Sequence, residues 1–221
     1  MIGMISFMLL SLVLGFKHSY DSDHLIAVSN ILRKVDSVKS SIKVGFSWAA
    51  GHMLTATIIT IALFIFRESF LSNILPHFEK IVGMMLIALG ILSLKEFISL
   101  HSHKHSHGNI IHCHPHIHLK KIQDKKHSHF HMFGIGIVHG LASNDELLIL
   151  FTASLAVTSL SSLVVGLGLF SLGVVLGMTL FAMIFSFPII KLNSEKIYNI
   201  ISLSTGSIGV LYGTMMIFSF V

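Results

Sequence analysis

GFKHSYDSDHLIAVSN, residues 15–30, decides how the chain is read, because Lys17, His18, Asp21, Asp23 and His24 fall within eight positions of an otherwise apolar stretch. Before it runs MIGMISFMLLSLVL, and after it the helical apolar spacing resumes with Leu25, Ile26, Val28 and Ile31. An ionisable group at the centre of a bilayer costs roughly 2.5–3.5 kcal/mol on insertion scales, so this cluster needs partners, water or a cargo. On a continuous helix at about 100° per residue, His18, Asp21 and His24 share an arc of about 120°, while Asp23 points about 100° from His24. Asp23 therefore reads as a carboxylate behind the ligands, or as a ligand at a helix break. Imidazole nitrogens and carboxylate oxygens on one face suit a borderline divalent ion such as Ni²⁺, Co²⁺ or Zn²⁺. A competing reading ends the span near Phe16 and leaves these groups as a solvated cap. The renewed apolar pattern, and a basic loop that begins only at Arg33, weigh against it.

Composition agrees with a membrane setting: 53% of the chain is hydrophobic and only 11% charged, against roughly 25% charged in soluble domains. Six apolar segments, each near the roughly 20 residues a spanning helix requires, run about 2–31, 44–66, 81–100, 132–157, 163–190 and 197–221. The N-terminus has neither the basic region nor the small-residue cleavage site of a signal peptide, and reads as part of the membrane domain. A single cysteine, Cys113, excludes an internal disulfide framework. The loops after segments 1, 3 and 5 hold Arg33, Lys34, Lys39 and Lys43, then Lys95, Lys104, Lys120, Lys121, Lys125 and Lys126, then Lys191 and Lys196. The opposite loops hold Arg67 and Lys80, so both chain ends are expected outside. The net charge of +5 is thus explained by topology, and no nucleic-acid-binding module is visible.

The two halves also resemble one another. Segment 1 placed over segment 4 sets Gly15-Phe16-Lys17-His18 against Gly136-Ile137-Val138-His139, and Asp23-His24-Leu25-Ile26 against Asn144-Asp145-Glu146-Leu147. Gly51-His52 falls opposite Gly177-Met178, and Gly90 opposite Gly209. Three spans is an odd number, so two copies enter the membrane in opposite directions, the inverted repeat with which secondary transporters build a midplane site. The expected fold is all-α: six transmembrane helices as two inverted three-helix repeats, residues 1–100 and 132–221, around a cytoplasmic His-rich loop at 101–131.

His18-Ser-Tyr-Asp21-Ser-Asp23-His24 fits an H-x4-D-H pattern and resembles the motif of the nickel/cobalt transporter family (NiCoT) and its six-helix relatives, the urease-accessory-type nickel permeases and nickel/cobalt efflux proteins. Gly51-His52 is similar to the start of that family's second motif, though Met53-Leu54-Thr55 departs from it. His139-Gly140-Leu141-Ala142-Ser143-Asn144-Asp145-Glu146 resembles a later glycine-and-acid motif in order and chemistry, and Gly177-Met178 the start of another whose acids are absent here. The resemblance implies a multi-pass transporter in a prokaryotic cytoplasmic membrane. Ni²⁺ or Co²⁺ would be its cargo, with no resident cofactor and a cytoplasmic metallochaperone as a partner. It makes His18, Asp23 and His24 the leading metal-binding candidates.

His139 and Asp145 are separated by six residues, as His18 and His24 are, which recruits the second half. His18, Asp21, His24, His52, His139, Asp145 and Glu146 then converge if the halves face each other. Other readings stand beside this one: His52 as a hydrogen-bonded packing residue, Asp145 and Glu146 as anions at a helix N-terminus, and Met178 as core filler. Residues 101–131 carry eleven histidines, and their polar composition with Gly108 and Pro115 suggests a mobile loop that gathers divalent ions.

No G-x4-GK-[ST] loop is present, which argues against an ATPase. The expected function is secondary transport of a divalent transition metal and not catalysis. The alternative, a membrane-embedded His/Asp metalloenzyme, would present compact His boxes, whereas these histidines are single and spread over three segments.

Overall fold

The computed structural model describes residues 2–66, 75–98, 101–107, 110–116, 128–141, 160–192 and 194–218. Its helices are α1 (Ile2–His18), α2 (Ser22–Leu32), α3 (Val38–Phe66), α4 (Leu75–Ile98), α5 (Ser128–His139), α6 (Leu160–Leu192) and α7 (Glu195–Ile217). Among the described residues, four stretches are long and apolar enough to cross a membrane: Val38–Ala62, His77–Lys95, Ser161–Leu192 and Lys196–Ile217; Met4–His18 is a shorter apolar helix.

The chain is an inside-out distribution of polarity. Leu9 and Val13 of α1, Ile184 of α6 and Leu211 of α7 are more than half exposed, while His18, His24, Asn30, Arg33, His52 and His139 are buried. Water would penalise that outer surface, and lipid would not.

Helix α1 packs on α6, α3 on both α5 and α6, and α4 on α7, with α2 wedged among them. Glycine allows the closest of these crossings. A Cβ at Gly15 would strike the Phe170 carbonyl, and one at Gly173 the Leu12 carbonyl and the Phe16 amide; across the core, Gly136 abuts the Trp48 carbonyl and Gly51 the Phe133 carbonyl and the Ile137 amide. The core between α2, α3, α5 and α6 holds Val28, Leu32, Trp48, Met132, Phe170 and Met178, so Met178 is core filler.

In place of one continuous first helix, α1 ends at His18 and α2 starts at Ser22. Tyr20 and Asp21 donate their amides back three residues, to Lys17 and His18, and tighten the last turn. Ser19 donates its hydroxyl to the Phe16 carbonyl at 2.7 Å. Asp21 has extended N-cap backbone geometry, and its carbonyl accepts the first bond of α2 from Leu25. Its carboxylate makes no cap bond because it is held by His18. Ser and Asp side chains that bond to nearby groups compete with helix propagation, so the polar cluster itself divides the span.

The His-rich segment also differs from expectation. Instead of an irregular loop it forms a two-stranded antiparallel hairpin, β1 (His101–His107) and β2 (Ile110–His116), and helix α5 already begins at Ser128. The period-2 alternation of histidine is compatible with a strand, whose ladder satisfies its own backbone groups.

Candidate metal centre

The break between α1 and α2 delivers His18 from the end of one helix and Asp23 and His24 from the first turn of the next. Helix α3 adds His52, and the last turn of α5 adds His139. The four imidazoles are buried, none more than 3% exposed. Their ring centroids lie 4.5 Å apart for His18 and His24, 4.6 Å for His24 and His52, and 4.7 Å for His24 and His139.

The hydrogen bonds fix which nitrogens carry protons. A carboxylate only accepts, so the ring atom facing it must donate. His18 Nδ1 donates to Asp21 Oδ2 at 2.7 Å, and His24 Nδ1 donates to Asp23 Oδ1 at 2.9 Å. The two Nε2 atoms are 3.1 Å apart, within hydrogen-bond distance, so a proton on one ring can bridge them. With both rings neutral the facing lone pairs repel, and a metal cation can take the place of the bridging proton. Two nitrogens bound ~2.0–2.1 Å from one ion, at angles between octahedral and tetrahedral, are themselves ~2.8–3.4 Å apart.

His52 supplies a third nitrogen. Its two ring nitrogens are buried and have no hydrogen-bond partner among the described residues, which is costly for a packing histidine. Ligand atoms of His18, His24 and His52 all lie within 4.8 Å of one another, as do those of a second set, Asp23, His24 and His139. His139 Nε2 donates to Asp23 Oδ2 at 2.8 Å, leaving Nδ1 buried without a partner among the described residues. Asp23 thus bridges His24 and His139, and His24 belongs to both sets.

Of the residues singled out in the sequence, the structure brings together His18, Asp21, Asp23, His24, His52 and His139. Asp145 and Glu146 lie outside the described residues. Asp21 is nearer the surface, with Lys17 3.7 Å away on the other side of its carboxylate.

Sequence reasoning missed Trp48, whose ring stacks on His52 at 4.9 Å and 11° and meets the edges of His24 and His139. Its signal is modest: it is the only tryptophan and stands four residues, one helical turn, before His52. Arg33, assigned to a basic loop, is also buried. It donates from Nε to the Asn30 carbonyl at 2.9 Å and from Nη1 to the Tyr198 hydroxyl at 2.6 Å, joining α2 to α7.

A family model described as the cytochrome C biogenesis protein transmembrane region matches residues 24–211. The urease accessory protein UreH of Bacillus sp. (strain TB-90) is 29% identical over 213 residues, which cover 96% of this chain and 90% of that protein. The nickel transporter NixA of Staphylococcus aureus (strain NCTC 8325 / PS 47) is 31% identical over 101 residues, covering 42% of this chain and 30% of that protein. These homologues are consistent with a nickel/cobalt permease family. No solved structure matches.

Proposed function

Since this chain belongs to the family of the cytochrome C biogenesis protein transmembrane region, with a nickel transporter among its homologues, we propose that it is a secondary transporter of divalent transition-metal ions, Ni²⁺ or Co²⁺. The observation that carries the reading is the convergence of His18 Nε2 and His24 Nε2, 3.1 Å apart, with His52, whose ring nitrogens have no hydrogen-bond partner among the described residues, beside them. His18, His24 and His52 hold the cargo through nitrogen. Asp21 and Asp23 fix the tautomers of the first two rings and balance the charge of the incoming cation. His139 is held ready by Asp23, and Asp145 and Glu146 are proposed to complete the ligand set from the second half.

A cation of this class surrenders bound water on entering the site, and imidazole nitrogens replace it at little cost because the rings are already oriented. Protons compete for the same lone pairs, so release and reprotonation can be coupled.

Alternating access would come from six spans arranged as two inverted repeats in the cytoplasmic membrane, both ends outside. The paired crossings support this. Gly15 meets α6 at Phe170 as Gly136 meets α3 at Trp48, and Gly173 meets the Leu12 and Phe16 backbone as Gly51 meets that of Phe133 and Ile137. In these contacts Gly51 corresponds to Gly173, one helical turn from Gly177, its partner in the sequence alignment. A thiol-exchange reading finds less support, since disulfide chemistry within one chain needs two cysteines and only Cys113 is present. A metalloenzyme finds less support, since one homologue is named a transporter.

The test is radiolabelled nickel flux in proteoliposomes containing the full chain, compared with His24→Asn at matched protein density. The reading requires saturable flux that the variant loses. Equal flux in both would overturn it.

A further inference from the structure

His24 stands at the centre of the buried imidazoles: its ring centroid lies 4.5 Å from that of His18, 4.6 Å from that of His52 and 4.7 Å from that of His139. Its two nitrogens meet different neighbours. Nε2 faces His18 Nε2 at 3.1 Å, and Nδ1 faces Asp23 Oδ1 at 2.9 Å. Asp23 Oδ2 in turn accepts from His139 Nε2 at 2.8 Å. His24 is thus shared by two groups whose ligand atoms lie within 4.8 Å of one another, His18 with His24 and His52, and Asp23 with His24 and His139.

A neutral imidazole carries one lone pair and one proton, on different nitrogens. His24 therefore offers its lone pair to one group at a time. With the proton on Nδ1, bonded to Asp23, the Nε2 lone pair faces His18 and the first group is open. With the proton on Nε2, His24 donates to His18 Nε2 across the same 3.1 Å, which closes the first group and turns the Nδ1 lone pair to Asp23 and His139. The number of protons on the ring is the same in both states: one leaves Nδ1 for water by way of Asp23, and water returns one to Nε2. Each group also contains an imidazole with an unsatisfied atom. Both nitrogens of His52, and Nδ1 of His139, are buried with no hydrogen-bond partner among the described residues.

We propose that the two groups are successive stations for the transported cation, and that His24 hands the ion from His18 and His52 to Asp23 and His139 by exchanging the nitrogen it presents. The proposal rests on the transport reading and deepens it: the buried centre is two mutually exclusive ligand shells that pivot on one ring. Imidazole suits a borderline divalent ion at either station, and the second adds a carboxylate whose charge holds the ion once it has left the first.

The experiment compares nickel flux in proteoliposomes with equilibrium nickel binding in nanodiscs, on the full chain with its seven hairpin histidines replaced by serine. His139→Gln keeps an N–H donor for Asp23 and removes an imidazole from the second station. Its equilibrium affinity should equal that of the parent, while maximal flux falls on the order of 10- to 100-fold, the scale on which metal sites respond to loss of a neighbouring group. Nickel-edge X-ray absorption should count three imidazoles in His139→Gln, where the ion rests at the first station, and two in His18→Gln, where it rests at the second. One shell of all four histidines predicts the same count in both variants. Equal counts, or undiminished flux in His139→Gln, would overturn the two stations. A parallel loss of affinity and flux in His139→Gln that elutes from size exclusion as the parent does would have the same meaning. Absence of saturable flux in the parent chain removes the transport reading and the stations with it, whereas equal counts remove the stations alone.

Discussion

His24 Nε2 lies 3.1 Å from His18 Nε2, and each ring is held at its other nitrogen by a different aspartate. The relationship arises because the first apolar segment is broken: His18 closes α1, His24 lies in the first turn of α2, and the three residues between the two helices, 19–21, bring the rings together face to edge, at 76°. The polar cluster therefore has one structural consequence, the break, and one chemical consequence, a pair of converging lone pairs.

Asp23 accepts from both His24 and His139, so Asp23→Asn should be more damaging than its isosteric size suggests. An amide can donate as well as accept, and the tautomer of His24 is no longer fixed. Metal affinity, read by competition with a chelating dye, is expected to fall about 10- to 100-fold, the usual loss when an orienting partner is removed. Helical content by circular dichroism should not change. Affinity equal to wild type would show that Asp23 does not set the ring.

Trp48 should act through His52. Trp48→Phe keeps a flat ring against the imidazole and should retain most nickel flux. Trp48→Ala removes the stacking partner 4.9 Å away and opens a cavity, with a stability loss of about 3–5 kcal/mol for a buried tryptophan and a matching loss of flux. Thermal unfolding in detergent together with flux separates the two variants. Equal flux in Trp48→Ala and wild type would remove Trp48 from the site.

The crossing at Gly136 predicts a packing effect without a change of chemistry. A side chain there meets the Trp48 carbonyl and the His52 amide, neither of which can rotate away. Gly136→Val should destabilise the fold by about 1–3 kcal/mol and displace His52. Gly134, where a Cβ meets nothing within 4 Å, is the matched control, and Gly134→Ala should be silent. Size-exclusion profiles and unfolding temperatures report both.

Arg33 and Tyr198 tie α2 to α7 away from the histidines. Tyr198→Phe removes one bond from a buried guanidinium, worth about 1.5–3 kcal/mol, and should lower the unfolding temperature while leaving nickel coordination as it is. A changed metal spectrum would mean that the junction reaches the site.

Much of this arrangement is written in local spacing. The six-residue interval from His18 to His24, the acids between them and the resumed apolar period identify the cluster without coordinates, and His139 follows from the similarity of the two halves. The break at residues 19–21 is less visible, because His18, Asp21 and His24 also fit one face of an unbroken helix. Competition between polar side chains and the backbone decides it. The repeat is displaced by a turn for a similar reason: Gly173 and Gly177 are four residues apart on one helix, and only the close contact with Leu12 and Phe16 distinguishes them. Trp48 reads as one more apolar residue until its stacking partner is known. In the His-rich segment, composition speaks for a loop, while the pairing of His103 with His114 is a non-local property that no composition contains.

X-ray absorption at the nickel edge is the most direct test of the proposed centre, with the seven hairpin histidines replaced by serine so that bound metal reports on the membrane site alone. Imidazole nitrogens at ~2.0–2.1 Å should dominate the first shell, and His18→Asn or His24→Asn should each subtract one of them. A nickel ion surrounded only by water oxygen, or a spectrum that both substitutions leave unaltered, would contradict the account.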